Sequence, residues 1–341
     1  MAIDERLMKH ARGAMIGLAI GDALGMPTQS MSAERIIECY GGPVRRLMDA
    51  VPQQPIAPNM KAGSVTDDTE QAFVLAARLI EDHGRIDNDA YAQDLLRWEA
   101  KMKEKGSLDL LGPSTKAALQ ALAEGIDPEL TGRFGTTNGG AMRATPVASP
   151  SFPETLGRGG LAFLRGDAQH HAGHRIDHAG GRRREPRHRG GARLPFESVG
   201  VRGIPAAARQ LVGQGVRRRP REDVHGMGRQ RRRLHVRREF ATILRRDCGT
   251  SVEANESVAA AFAIATRFFD KPTEALCFAA SLGGDTDTIA AITGAMLGAW
   301  HGPDGFDPDM RGQVLRQLKD DDRLDLDRTV AGLCALRERE A

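Results

Sequence analysis

Aromatic residues are scarce. The chain of 341 residues has 2 Trp, 2 Tyr and 11 Phe, 4% in all. Alanine is abundant instead, a mix that disfavours sheets, where aromatic and β-branched side chains concentrate, and favours closely packed helices. Cysteine is sparse too. Cys39, Cys248, Cys277 and Cys334 lie far apart with no Cys-x-x-Cys spacing, which argues against a zinc site and a disulfide framework and fits a reducing, cytoplasmic setting. No apolar run reaches the ~18 residues that span a bilayer, so no membrane partner is expected. The glycine-rich words are never followed by Gly-Lys-Ser/Thr, so no Walker P-loop is present. No internal repeat of fixed period is visible.

Lysine is missing from one region. Residues 165–246 hold 22 Arg, no Lys and 7 acidic residues, a formal +15. With the whole chain at +3, the remainder is −12. The block also has 7 of the 10 His, no Asn and no Tyr, and it shows no sustained apolar period. Two readings compete: an arginine-rich insertion that binds nucleic acid through phosphates, or a stretch translated out of frame in a GC-rich gene. The absence of every AT-rich-codon residue type named here favours the second. Nucleic acid is an improbable partner, since only Phe196 and Phe240 accompany the arginines to stack bases.

Elsewhere the helical period is regular. Lys9 to Ile20 has the outline of a signal peptide, yet Leu7, Ala11, Ala14 and Leu18 share a helix face, so a folded helix is expected. Further stripes are Phe73, Ala76, Ala77 and Ile80; Tyr91, Leu95, Trp98 and Met102; Val258, Phe262, Ala265 and Phe269; Ile289, Ile292, Met296 and Ala299; and Leu326, Val330 and Leu333. The fold class read from this pattern is all-α.

Two acidic words stand out. Thr66-Asp67-Asp68-Thr69-Glu70 and Asp285-Thr286-Asp287-Thr288 each precede an apolar helix. Helix capping explains the first by itself, with Thr66 as the cap and carboxylates at the positive end of the dipole. It explains Asp285 but neither Asp287 nor the recurrence of the same chemistry some 200 residues on. Oxygen donors without His or Cys suit a hard cation, Mg²⁺ or Mn²⁺, and two words suit two divalent metal ions. Three glycine-containing turns, Gly17 to Gly25, Thr136 to Arg143 and Gly283-Gly284, offer backbone N–H groups to a phosphate, although such a turn taken singly is more often a helix cap or a close-packing device.

Taken in order, Gly17-Leu18-Ala19-Ile20-Gly21-Asp22-Ala23-Leu24-Gly25, Thr66-Asp67-Asp68-Thr69, Asn138-Gly139-Gly140-Ala141-Met142-Arg143 and Gly283-Gly284-Asp285-Thr286-Asp287-Thr288 resemble the ADP-ribosylglycohydrolase family. The resemblance covers about residues 8 to 160 and 248 to 302. It implies one all-α, orthogonally packed domain over the whole chain, a binuclear Mg²⁺ or Mn²⁺ centre, and hydrolysis of the bond between ADP-ribose and a modified protein or other acceptor. Thr66, Asp67, Asp68, Asp285, Asp287 and Thr288 are similar to the metal ligands. Asp22, Gln29, Asn138, Gly139, Gly140, Met142, Arg143, Gly283 and Gly284 are similar to the ADP-ribose surround. Asp109, in Leu108-Asp109-Leu110-Leu111-Gly112, resembles the proposed base, and a plain turn Asp is the alternative. Many members carry Glu where this chain has Gln29, which cannot act as a general base. The rival expectation is a non-catalytic ADP-ribose-binding or crystallin-like protein whose activity the altered middle segment has removed.

Overall fold

The computed structural model describes residues 5–107, 110–132, 134–148 and 237–338. Among them there is no β-strand, only two isolated antiparallel bridges, Met31 with Gly284 and Thr137 with Glu253. The helices are α1 (Glu5–Gly25), α2 (Ala33–Tyr40), α3 (Asp67–Glu81), α4 (Asn88–Glu104), α5 (Pro113–Ala123), α6 (Pro128–Thr131), α7 (Gly139–Met142), α8 (Thr145–Ala148), α9 (Ala254–Arg267), α10 (Pro272–Ala279), α11 (Thr286–His301), α12 (Pro308–Lys319) and α13 (Leu326–Glu338). The all-α class expected from composition is the one observed.

The centre of the molecule is the pair α1 and α11. Glycine is a poor helix former, about 1 kcal/mol worse than alanine, and the glycines of 17–25 are read above as a turn. The structure instead makes them the C-terminal half of α1. Gly13, Gly17, Gly21 and Gly25 recur every fourth residue, so they line one face, and that face lies directly on the backbone of α11. A methyl group at Gly13, Gly17 or Gly21 would sit 2.1, 2.2 or 2.1 Å from the carbonyl oxygens of Gly298, Gly294 or Ala290. At Gly25 it would meet the Asp287 Cα at 2.4 Å. The fit is reciprocal, since methyls at Gly294 and Gly298 would lie 2.0 and 1.9 Å from the Gly17 and Gly13 oxygens. Close packing of two backbones outweighs the weak intrinsic propensity of the residues that permit it.

Around this pair the remaining helices form two apolar clusters. α9, α10 and α12 close the larger one with Ala260, Ile264, Leu276, Ala279 and Val314, all without exposed surface. The second joins α3, α4 and α13 through Leu75, Leu79, Tyr91, Leu95, Trp98, Met102 and Leu333. The expected α4 and α13 stripes are buried throughout. Elsewhere the stripes are only partly so: Ala77 and Ala299 are exposed, and α9 buries Ala259, Ala260, Ala261 and Ala263 more deeply than Val258, Phe262 or Phe269. Those helices are packed on more than one side, and alanine is what permits close approach on the extra side.

The end of the arginine-rich block departs from the expectation of an aberrant stretch. Residues 237–243 are helical and continue into a π-helical turn, Leu244–Cys248. Phe240 stacks on Phe278 at 5.4 Å between ring centroids, Arg237 lies 5.5 Å over the Phe268 ring, and Leu244 is fully buried. Residues 165–236 lie outside the described residues.

The glycine seam gives a direct prediction. Gly21→Ala forces a methyl against backbone atoms that cannot turn aside, so its cost falls at the upper end of overpacking, about 3 kcal/mol. For a chain of 341 residues that corresponds to a Tm lowered by roughly 4 °C in calorimetry. Gly125→Ala, where no atom lies within 4 Å but φ is +80°, tests the conformational term alone and should cost only about 1 kcal/mol.

Candidate functional site

The α1–α11 seam ends at Gly25, where the start of α11 meets the start of α3. Both helices open with acidic turns at their positive ends, Asp67, Asp68 and Glu70 on one and Asp287 on the other. Thr66 occupies the N-cap position of α3 but makes no capping bond with its side chain. Its hydroxyl donates to Asp22 Oδ1 at 2.7 Å and lies 3.4 Å from Asp68 Oδ2. From the other helix, the Thr288 hydroxyl points at the same Asp68 Oδ2, also at 3.4 Å. Both contacts are long for an O–H···O bond, whose usual length is 2.7 to 2.8 Å. Oxygens disposed around a common point, rather than around one another, have this spacing.

Asp68 is the most constrained carboxylate. It has no exposed surface, and its Oδ1 has no hydrogen-bond partner. Burial pushes its pKa well above the usual carboxylate range, and the charges of Asp287, Asp67, Asp22 and Asp285 push it further. Asp285 is raised as well, by burial, against the hydrogen bonds of Asn138, Asp287 and Thr288 that hold it down. Two carboxylates within hydrogen-bonding reach coexist only with a shared proton or a cation between them.

Asp22 sits beneath this group with no exposed surface. It accepts the backbone N–H of Thr66 at 2.9 Å and of Thr69 at 3.2 Å, together with both threonine hydroxyls. It therefore fixes the entry to α3 from inside. Burial raises its pKa to about 6, with the four donors opposing that rise.

Several of the residues expected around ADP-ribose have hydrogen-bond partners within the chain. Asn138 donates from Nδ2 to Asp285 Oδ2 at 2.5 Å and to Ser257 Oγ at 2.9 Å. Gly139, Gly140 and Met142 form the short helix α7, which turns Arg143 inward. Arg143, 1% exposed, donates to Thr115 Oγ1 at 3.0 Å and to Gln71 Oε1. Gly283 and Gly284 adopt φ of +84° and +88°. Gly284 directs its N–H to Met31 O at 2.9 Å, so that donor is not left for a phosphate, and its carbonyl accepts from Ser30 N at 2.8 Å. A methyl there would lie 2.1 Å from the Thr250 oxygen. Gln29 is 5% exposed, and its Nε2 has no hydrogen-bond partner. Asp109 lies outside the described residues.

Two stretches remote in sequence are stitched together beside the site. Asn138 N donates to Val252 O at 2.9 Å and Ala254 N to Thr136 O at 2.8 Å, about the bridge of Thr137 with Glu253. The sequence reading misses Gln71, Thr115 and Ser257. Of these, Gln71 had a signal: it stands four residues after Asp67 on one helix face, and its Nε2 donates to Asp67 Oδ2 at 3.1 Å.

The sequence model of ADP-ribosylglycohydrolase matches residues 4–179 and 191–340. The chain belongs to the ADP-ribosylglycohydrolase family. It is accordingly a hydrolase, and the match breaks only inside the arginine-rich block. The ADP-ribosylarginine hydrolase Tri1 of Pseudomonas putida (strain GB-1) is 26% identical over 89% of this chain and 74% of its own. The ADP-ribosyl-[dinitrogen reductase] glycohydrolase of Rhodospirillum rubrum is 24% identical over 86% of each. A solved chain described as an ADP-ribosylglycohydrolase-related protein complex superimposes with a TM-score of 0.56 and 22% identity, covering 98% of this chain and 100% of that one, which shows the fold. No helix among the described residues is long and apolar enough to cross a membrane.

The raised carboxyls set a direction with pH. Between the ordinary carboxylate value of 3.8 and about 6, native Asp22 holds more proton than the unfolded chain, so stability falls as pH rises through that window. Carboxyls held low at the surface, such as Asp321 at about 2, act at lower pH and leave the window to the buried group. Chelator-treated protein should therefore unfold at lower urea concentration at about pH 7 than at about pH 5. A midpoint that rises over this interval contradicts the assignment.

Proposed function

We propose that this chain is a divalent-cation-dependent hydrolase that cleaves the N- or O-glycosidic bond between ADP-ribose and a modified protein side chain or other acceptor. The observation that carries the reading is Asp68, fully buried among Asp22, Asp67, Asp285 and Asp287 with one oxygen unpartnered. A buried carboxylate in such company is costly unless a cation compensates it. Among the described residues no three carboxylate, imidazole or thiol groups converge on one point closely enough to hold a metal unaided. The hydroxyls of Thr66 and Thr288, each 3.4 Å from Asp68 Oδ2, are assigned in this reading to the donor set alongside Asp67, Asp68, Asp285 and Asp287. Such an all-oxygen set fits Mg²⁺ or Mn²⁺.

When bound, two such ions polarise ribose hydroxyls and ease deprotonation of water. The chain supplies the rest. Asp22 locks the Thr66–Thr69 entry of α3, and Asn138 aims Asp285 through a direct hydrogen bond. The unpartnered Gln29 amide donates to the substrate but cannot take its proton. Removal of the proton from water as oxocarbenium character develops at the anomeric carbon is assigned to Asp109. Arginine is the acceptor to test first, because the Pseudomonas putida relative is named for it. A cytoplasmic site of action is proposed with this substrate.

Release of ADP-ribose from an ADP-ribosylated arginine peptide should require Mg²⁺ or Mn²⁺ and stop with chelator. Asp68→Asn should lower kcat/KM by about a thousandfold, or ~4 kcal/mol in the barrier. Binding of ADP-ribose without turnover on arginine-, serine- or nucleic-acid-linked substrates would instead assign the non-catalytic role, for which Gln29 in place of the family's frequent Glu is the supporting feature.

A further inference from the structure

We infer that Arg143 and Gln71 form a positioning relay that fixes the side chain of Asp67 for cation binding, rather than a surface for substrate. The inference rests on the proposed divalent-cation site. Arg143 is 1% exposed, so its guanidinium faces the interior. Burial acts to lower its pKa, and the charge of nearby Asp67 opposes that. Its Nη2 is committed to Thr115 Oγ1 at 3.0 Å and its Nη1 to Gln71 Oε1.

A guanidinium carries donors only. It therefore dictates which way the Gln71 amide faces: the oxygen must turn to Arg143, leaving the NH₂ to turn the other way. There it meets Asp67 Oδ2 at 3.1 Å. A glutamine free to flip could present either end, and a flipped one would set its oxygen against the carboxylate. Arg143 removes that choice. Asp67 is the half-buried carboxylate of its word, so of the two it has more freedom to move, whereas Asp68 has none. Engagement of Oδ2 by Gln71 restricts the rotation of this carboxylate. The α7 turn gains a reason too: Gly139 is close to the guanidinium, a methyl there lying 3.5 Å from Nη2 and 3.3 Å from Thr115 Oγ1.

The test is a titration of Mn²⁺ followed by electron paramagnetic resonance, with full-length wild-type chain, Gln71→Met, Asp67→Ala and the Asp67→Ala/Gln71→Met double variant. Gln71→Met should weaken Mn²⁺ binding by roughly tenfold or more, the usual effect of losing a partner of a ligand. In the Asp67→Ala background the same change should alter affinity by less than about twofold, because its effect passes through Asp67. Equal losses in both backgrounds, or none in either, would overturn the relay. If Gln71→Met folds poorly, the apolar pair Gln71→Met/Arg143→Met removes both partners together and should fold better while still binding Mn²⁺ weakly. Wild-type-like affinity in that variant also overturns the relay. Wild-type chain that binds no Mn²⁺ overturns the cation site itself and this inference with it, an outcome distinguishable from the others because it precedes any substitution.

Discussion

Everything in the site depends on how closely α1 approaches α11. Glycine at every fourth position of α1 from 13 to 25 removes the side chains that would hold the two backbones apart, and Gly294 and Gly298 do the same from the other side. That contact fixes Gly25 against Asp287 and Thr286, and Thr286 Oγ1 donates to the Gly25 oxygen at 3.1 Å. Asp22, one turn earlier on α1, is thereby placed under the Thr66–Thr69 turn. The distance between the two acidic words is therefore decided by residues that have no chemistry of their own. A seam built from backbone has little freedom to drift, which is what a set of converging oxygens requires.

Against this rigid support stands a local concentration of like charge. Asp22, Asp67, Asp285 and Asp287 all act on Asp68 at the junction of α3 and α11. Helix N-termini and threonine hydroxyls soften the repulsion but do not remove it, and Asp68 keeps an oxygen with no donor. Groups tuned for stability alone would not be gathered this way. Polar side chains one layer out, Asn138, Ser257, Gln71, Thr115 and Arg143, each hydrogen-bond to a neighbour and so hold the carboxylates from behind.

The helical class and the two acidic words could be read directly from the chain, because apolar period and donor chemistry are local properties. Tyr91, Leu95, Trp98 and Met102 form a buried stripe as their spacing implies. Helix α1 could be read only as far as Ile20, and its continuation through Gly21 to Gly25 could not, since what stabilises it is a partner helix more than 250 residues away in the same chain. Arg143 was equally illegible: an arginine after a Gly-Gly turn has the composition of an anion site, and only the three-dimensional packing reveals that it points inward to Gln71. Asn138 falls between these cases, near the expected region but engaged with Asp285 instead of being left open. Residues 237–248 show the reverse error, in which composition dominated by arginine concealed Phe240 and Leu244 at helical spacing.

The paired stretches 136–138 and 252–254 carry a consequence for how such a chain can change over time. Because their backbones are hydrogen-bonded to each other, the two ends of whatever lies between them in sequence are brought to the same place by local contacts. The entropy of closing the intervening chain grows only with the logarithm of its length, about 0.6 kcal/mol for each doubling. A change of chain length after α8 and before Arg237, outside the packed residues on either side, thus adds little closure cost at the junction. The clasp turns the middle of the gene into a region where lineages can diverge in length and composition while the residues on either side stay in register.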